Sequence, residues 1–140
     1  MIVVDTNVLS ELMRPRPARK VVGWLNSQPT ASLFTTSVTQ AEILHGVMLL
    51  PAARRRAAIE AAVAVMFEGD FAGRVLAFDS EAASPYARIA SERRHAGRPI
   101  SQFDAQIAAI AQSRGASVAT RNVADFEGCG ITVVDPWGGT

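Results

Sequence analysis

The sequence predicts an α/β fold, a three-layer α/β/α sandwich around a central parallel sheet of about five strands. Three observations predict it. Short runs of β-branched and apolar residues, Ile2-Val3-Val4 first among them, recur along the chain. Each is long enough for a buried strand and too short for a helix. Helical periodicity separates them, and strands alternating with helices indicate parallel pairing under two helical layers. Acidic or amide residues stand where the strands end or the helices begin, and in an open α/β sheet such points converge on one crevice.

In order, Ile2–Val4 is the first strand, delivering Asp5, and a helix begins near Val8. Arg14-Pro15-Arg16-Pro17 stops that helix and starts the next, over 18–27. Leu33–Thr36 is the second strand. Ser37–Leu50 is helical, with Val38, Ala41, Leu44, Val47 and Met48 spaced as its apolar side. Pro51 suits the first position of a further helix reaching about Phe67. Two successive helices here form an insertion suited to a clip or a dimer surface. Val75–Phe78 is the third strand, and Asp79 after it suits a helix cap. The helix that follows runs to about His95; Pro85 requires either a late start capped by Ser84 or a kink. Phe103–Arg114 is a strongly periodic helix closed by Gly115. Ser117–Thr120 and Ile131–Val134 are the last two strands, and Asp135 reads as a residue of the closing turn.

At 140 residues the chain fits one domain, 1–140, with enough length for a substantial core. Hydrophobic residues make up 49%, which excludes a disordered chain. The formal charge of +1 provides no broad field for duplex nucleic acid. Lys20 is the only lysine, so the basic groups are almost all Arg, the better bidentate partner for phosphate. Cys129 is the single cysteine, which points to a reducing, cytoplasmic setting. No secretory signal and no apolar run of membrane-spanning length is evident, so no membrane partner is expected.

Each carboxylate has an ordinary structural reading beside a chemical one. Asp5 suits the cap of the first helix. Glu42 lies three residues after Thr39, a capping-box spacing, and is also placed on the first turn facing the sheet's carboxyl edge. Asp104 stands three after Ser101 at the start of a core helix, where the helix dipole favours negative charge. Asn122 suits the cap of a short helix with Asp125 in its first turn. Taken together, however, Asp5, Glu42, Asp104 and the Asn122/Asp125 pair meet at one edge. Several acids there repel one another unless a cation sits among them. Mg²⁺ or Mn²⁺ prefers such oxygen ligands and retains water suited to attack on a phosphodiester.

On these residues the chain resembles the PIN-domain ribonucleases, and more narrowly the VapC toxins and their FitB-like branch. The resemblance rests on Val4-Asp5-Thr6-Asn7-Val8, on Thr39-Gln40-Ala41-Glu42-Ile43 with Gly46, and on Asp104-Ala105-Gln106-Ile107-Ala108-Ala109. Ala119-Thr120-Arg121-Asn122 with Asp125-Phe126, and the ending Asp135-Pro136-Trp137, complete it. It implies a PIN-like fold and an endoribonuclease that cleaves single-stranded or loop RNA, such as tRNA or rRNA loops. Asp5, Glu42 and Asp104 are then the triad that holds Mg²⁺ or Mn²⁺. Asn122 occupies the family's fourth acidic position, a departure that favours one metal over two, with Asp125 as a source of the missing charge. Thr6 and Asn7 correspond to residues that steady the first Asp, and Thr120 to a small hydroxyl residue near the site. The resemblance also implies a homodimer and a cognate VapB/FitA-like antitoxin. The antitoxin would block the groove with a basic side chain and alone contact operator DNA.

Among the basic residues, Arg121 is the one expected beside substrate. Arg14, Arg16, Arg19 and Lys20 form one flanking cluster, Arg93, Arg94 and Arg98 a second, and Arg54–Arg56 a third; most such runs are solvated helix faces. Trp24, Phe103, Phe126 and Trp137 read as core or interface, and His45 and His95 lack partners at metal spacing. A dehalogenase-like phosphatase or receiver domain also begins with a strand ending in Asp. The former needs a second Asp where Asn7 stands, and both need a lysine at a later strand, whereas the chain has only Lys20. A non-catalytic module that captures a basic peptide in the same acidic pocket is the remaining alternative.

Overall fold

The computed structural model describes residues 1–138. Five parallel strands form one sheet in the order β3-β2-β1-β4-β5. They are β1 (Ile2–Val4), β2 (Leu33–Thr36), β3 (Val75–Leu76), β4 (Ser117–Ala119) and β5 (Val133–Val134). Helices α1 (Thr6–Leu12), α2 (Arg19–Ser27), α3 (Ser37–Met48), α4 (Arg54–Val65), α5 (Ser80–His95) and α6 (Gln102–Ser113) cover both faces. β1 lies centrally, with Ile2 opposite both Leu33 of β2 and Ser117 of β4. This placement sets Asp5 at the middle of the sheet's carboxyl edge.

Because side chains alternate along a strand, Val3 and Val4 enter different cores. Val3 packs with Ile89 of α5, with Ile107 and Ile110 of α6, and with Phe126. Val4 packs with Val8 and Leu9 of α1, Val21 of α2, Val63 of α4, and Met66 and Phe67. The alanines of α6, buried at 105, 108, 109 and 111, keep that helix tight against the sheet.

Several boundaries differ from the sequence reading. β3 ends at Leu76, not Phe78, because its partner β2 turns into α3 at Ser37 and only Thr35 and Thr36 remain to pair. Phe78 instead stacks edge-on against Tyr86. Pro51 does not open α4. Ala53 is still extended at φ −157°, and the helix begins at Arg54. The helix after Asp79 does not start late: Asp79 accepts the amide of Ala82, and α5 continues through Pro85. The donor that Pro85 lacks would have met the carbonyl of exposed Glu81, which water can satisfy.

α3 buries a different face from the one expected. Val38, Thr39, Ile43 and Val47 face inward, whereas Ala41, Leu44 and Met48 face solvent. This helix has apolar residues on both sides, so spacing alone does not choose between them. No helix among the described residues is long and apolar enough to cross a membrane.

Candidate active site

Asp5 is the centre of the site. It follows β1 as the cap of α1, with Oδ1 accepting the amide of Thr6 at 2.8 Å. Its other oxygen accepts the Thr120 hydroxyl at 2.8 Å and faces Asn7 Nδ2 at 3.4 Å. The capping and chemical readings of Asp5 are therefore compatible: one oxygen caps, and the residue still lines the crevice. Only 4% of Asp5 is exposed. Burial pushes its carboxyl up to about 6 from the usual 3.8. The Thr120 and Thr6 donors act against that shift, while the charges of Asp104 and Glu42 add to it. The three carboxylates thus share one electrostatic neighbourhood.

Thr6 connects the first two. Its hydroxyl donates to Glu42 Oε1 at 2.8 Å and lies 3.0 Å from the hydroxyl of buried Thr39. The Thr39–Glu42 capping box is absent. Thr36 caps α3 by accepting the Thr39 amide at 3.0 Å, which places Glu42 on the second turn rather than the first. Glu42 is half-buried, and of its apolar neighbours only Ile43 is interior. Sequence reasoning missed Thr39 as a member of this network. Thr35, Thr36 and Thr39 are equally plausible caps by composition, and only the backbone distinguishes them.

Asn7 connects β1 to β4. Its Nδ2 donates to Thr120 Oγ1 at 3.1 Å, and its Oδ1 accepts the amide of Arg121 at 3.2 Å. Thr120 is fully buried and also accepts the amide of Asn122. Asn122 occupies the cap position of the short 3₁₀ turn Val123–Phe126, but its side chain makes no capping hydrogen bond. It is exposed and carries no charge.

Asp104 stands in the first turn of α6, where its amide donates to the Ser101 hydroxyl at 3.1 Å, as the sequence spacing predicts. Burial raises its carboxyl, the Ser101 contact lowers it, the charge of Asp125 raises it and that of Arg93 lowers it. Asp125 therefore bears on Asp104, and Asp104 on Asp5.

Arg93 is a correction. It is 7% exposed and belongs neither to a solvated face nor to a phosphate-binding cluster. Its guanidinium donates to the carbonyls of Arg98 at 2.7 Å, Asp125 at 2.7 Å and Glu127 at 3.1 Å. It fixes the loop that presents Asp125. Arg56 is likewise occupied, paired with Glu60 at 2.8 Å. Glu11, not singled out from the sequence, is structural: it accepts the Ala18 amide at 2.9 Å and so secures the start of α2.

A family model for the PIN domain matches residues 2–127. The chain belongs to the PIN-domain family. This PIN domain is 37% identical over 137 residues to "VapC ribonuclease Y4jK" of Sinorhizobium fredii, covering 98% of both chains. It is 36% identical to "Toxin FitB" of Neisseria gonorrhoeae, covering 98% of this chain and 99% of that protein. A solved structure of FitAB bound to an IR36 DNA fragment matches with a TM-score of 0.92 at 36% identity, over 98% of this chain and 96% of that one. The PIN-like fold expected from the sequence is the fold found.

The acidic side chains of the PIN domain's hollow offer only oxygen to an ion, and no basic side chain is among the influences on Asp5. That donor set fits a hard divalent cation. Among the described residues, no three acidic, histidine or cysteine side chains are gathered closely enough to ligate an ion directly. A cavity of about 630 Å³ is lined by Leu12, Met13, Leu25, Met66 and Phe71 among others and by none of Asp5, Glu42, Asp104 and Asp125, whereas Glu42 lines two smaller ones of about 250 and 330 Å³.

Proposed function

We propose that this PIN domain is a Mg²⁺- or Mn²⁺-dependent endoribonuclease and the toxin of a VapBC-type toxin–antitoxin pair. The observation that carries the reading is buried Asp5, its carboxyl raised by burial and by Asp104 and Glu42, with no cationic side chain among the groups acting on it. Asp5, Asp104 and Glu42 would hold the ion, partly through water, as Mg²⁺ usually keeps several waters beside one or two carboxylates. When bound, the ion lowers the pKa of a water and stabilises charge on the scissile phosphate. The chain's own groups do the rest. Thr120 and the Thr6 amide fix both oxygens of Asp5, and the Thr6 hydroxyl orients Glu42. Asn7 locks the end of β1 to Thr120. Asp125 supplies the charge that Asn122 lacks, and Arg121 contacts a substrate phosphate.

The partner in this reading is a VapB/FitA-like antitoxin. Its basic side chain enters the hollow, and it alone contacts operator DNA. Exposed Leu44, Met48 and Leu49 on and just after α3 supply apolar surface for a homodimer. The test is cleavage of single-stranded RNA by purified protein with Mn²⁺, with EDTA, and after Asp5→Asn. Cleavage that needs the ion and Asp5 supports the reading; equal cleavage by a well-folded Asp5→Asn protein refutes it.

A further inference from the structure

The guanidinium of Arg121 lies over the indole of Trp137, 5.0 Å from the ring centroid. Arg121 is exposed and takes part in none of the ion pairs found among the described residues. Its backbone is fixed separately, by the Asn7 Oδ1 that accepts its amide. Asn7 in turn faces Asp5, so Arg121 is anchored within two residues' reach of the central carboxylate. A long exposed Arg side chain ordinarily samples many rotamers. Here the ring restricts it, while the edges of the guanidinium, which carry its donors, stay free for a phosphate.

Trp137 is itself held. Its amide donates to Asp135 Oδ1 at 2.9 Å, and the amide of Gly138 donates to the Asp135 carbonyl at 3.3 Å. Trp137 also packs, like Ala18 and Trp24, against the core that contains Val4 and Val21. The turn therefore supports a flat, fixed surface below a cation at the margin of the acidic crevice. Aromatic faces hold guanidinium groups by cation–π attraction and stacking.

We propose that Trp137, in the turn Asp135–Gly138 at the margin of the substrate crevice, is the positioning residue that aims Arg121 at a phosphate of bound single-stranded RNA. This rests on the ribonuclease reading and adds to it a residue that touches neither ion nor substrate.

The test uses the full chain carrying Asp5→Asn, with Mg²⁺ present and a fluorescein-labelled single-stranded oligouridylate read by anisotropy. Trp137→Leu is expected to weaken binding about three- to tenfold, the range of a partly exposed cation–π contact. Trp137→Phe, which keeps a ring face, should recover most of it. Arg121→Ala should weaken binding and flatten the dependence of log Kd on log[NaCl] by about 0.7, the loss of one phosphate contact to a single strand. Adding Trp137→Leu to Arg121→Ala should cost nothing further. Independent, additive losses, or unchanged binding after Trp137→Leu, would overturn the inference. If the leucine variant does not fold, Arg121→Lys decides, since it keeps the charge and loses the planar stack; wild-type affinity there would also overturn it. RNA that the wild-type protein binds but does not cleave would remove the nuclease reading and leave this inference standing. RNA that does not bind at all would overturn both.

Discussion

Thr6 donates twice, its amide to Asp5 Oδ1 and its hydroxyl to Glu42 Oε1, each at 2.8 Å. One residue therefore sets the relative placement of carboxylates that are 37 positions apart in sequence and would otherwise repel. Thr6→Val preserves shape and the amide contact but removes the hydroxyl. RNA cleavage at saturating Mn²⁺ should fall about tenfold, the effect of one lost orienting hydrogen bond, while Thr6→Ser stays near wild type. Steady-state kinetics on a single-stranded substrate would show this, and equal rates for Val and Ser would remove Glu42 positioning from the account.

Metal binding should be visible without any RNA. An ion that binds only the folded protein stabilises it by about 2.7 kcal/mol at a hundred times its dissociation constant. Thermal melts should rise with added Mn²⁺ in the wild type and rise much less after Asp5→Asn or Asp104→Asn. A melt indifferent to millimolar Mn²⁺ would favour an acidic pocket that takes a basic peptide instead.

Without metal, the raised carboxyl of Asp5 has a definite pH signature. Its folded-state pKa of about 6 lies above the unfolded 3.8, so between those values the folded protein holds more protons. Stability must then fall as pH rises through that window, by roughly 3 kcal/mol for Asp5 alone. Asp104, also raised, adds in the same direction. Glu11, held below its usual range mainly by the Ala18 amide, has the opposite slope, stability being lost as pH falls. Comparing wild type with Asp5→Asn isolates the Asp5 share. Urea unfolding in EDTA across this range should show a slope in the wild type that the variant largely lacks.

Arg93 serves stability and the site together. Arg93→Met leaves three carbonyls without their charged donor and should cost about 2–4 kcal/mol in urea unfolding. Neighbouring Arg94 is exposed, and Arg94→Ala should change stability by less than about 0.5 kcal/mol. Because Arg93 holds the Asp125 carbonyl, cleavage by the methionine variant should also decline under conditions where it remains folded.

Much of this was legible in the sequence, and the exceptions have physical causes. Strand cores and the Ser101–Asp104 cap follow from local rules, because the partners are three residues apart or less. Asp5 was legible because a β-branched run ending in an acid delivers that acid to the sheet's carboxyl edge. The cap of α3 was not, since several hydroxyls compete there and Thr36 prevails through backbone geometry. Arg93 was missed because charge suggested a surface. Yet it lies four residues after buried Ile89 and eleven after buried Ala82, on the helix's inward stripe, and that spacing would have revealed it. The ends of β3 and β5 depend on where neighbouring strands stop, which local sequence does not specify. The Arg121–Trp137 pairing joins two segments whose proximity only the pairing of β4 with β5 creates.

The bond between Asp5 and Thr120 spans 115 positions. A ribosome translating this message must therefore pass Thr120 before the hollow can close around its first acid. Truncated products of broken transcripts or premature termination would carry Asp5, Thr6 and Glu42 yet have no β4 to complete the chamber. On the proposed activity, fragments that stop short of β4 should therefore lack the hydroxyl that fixes the first acid.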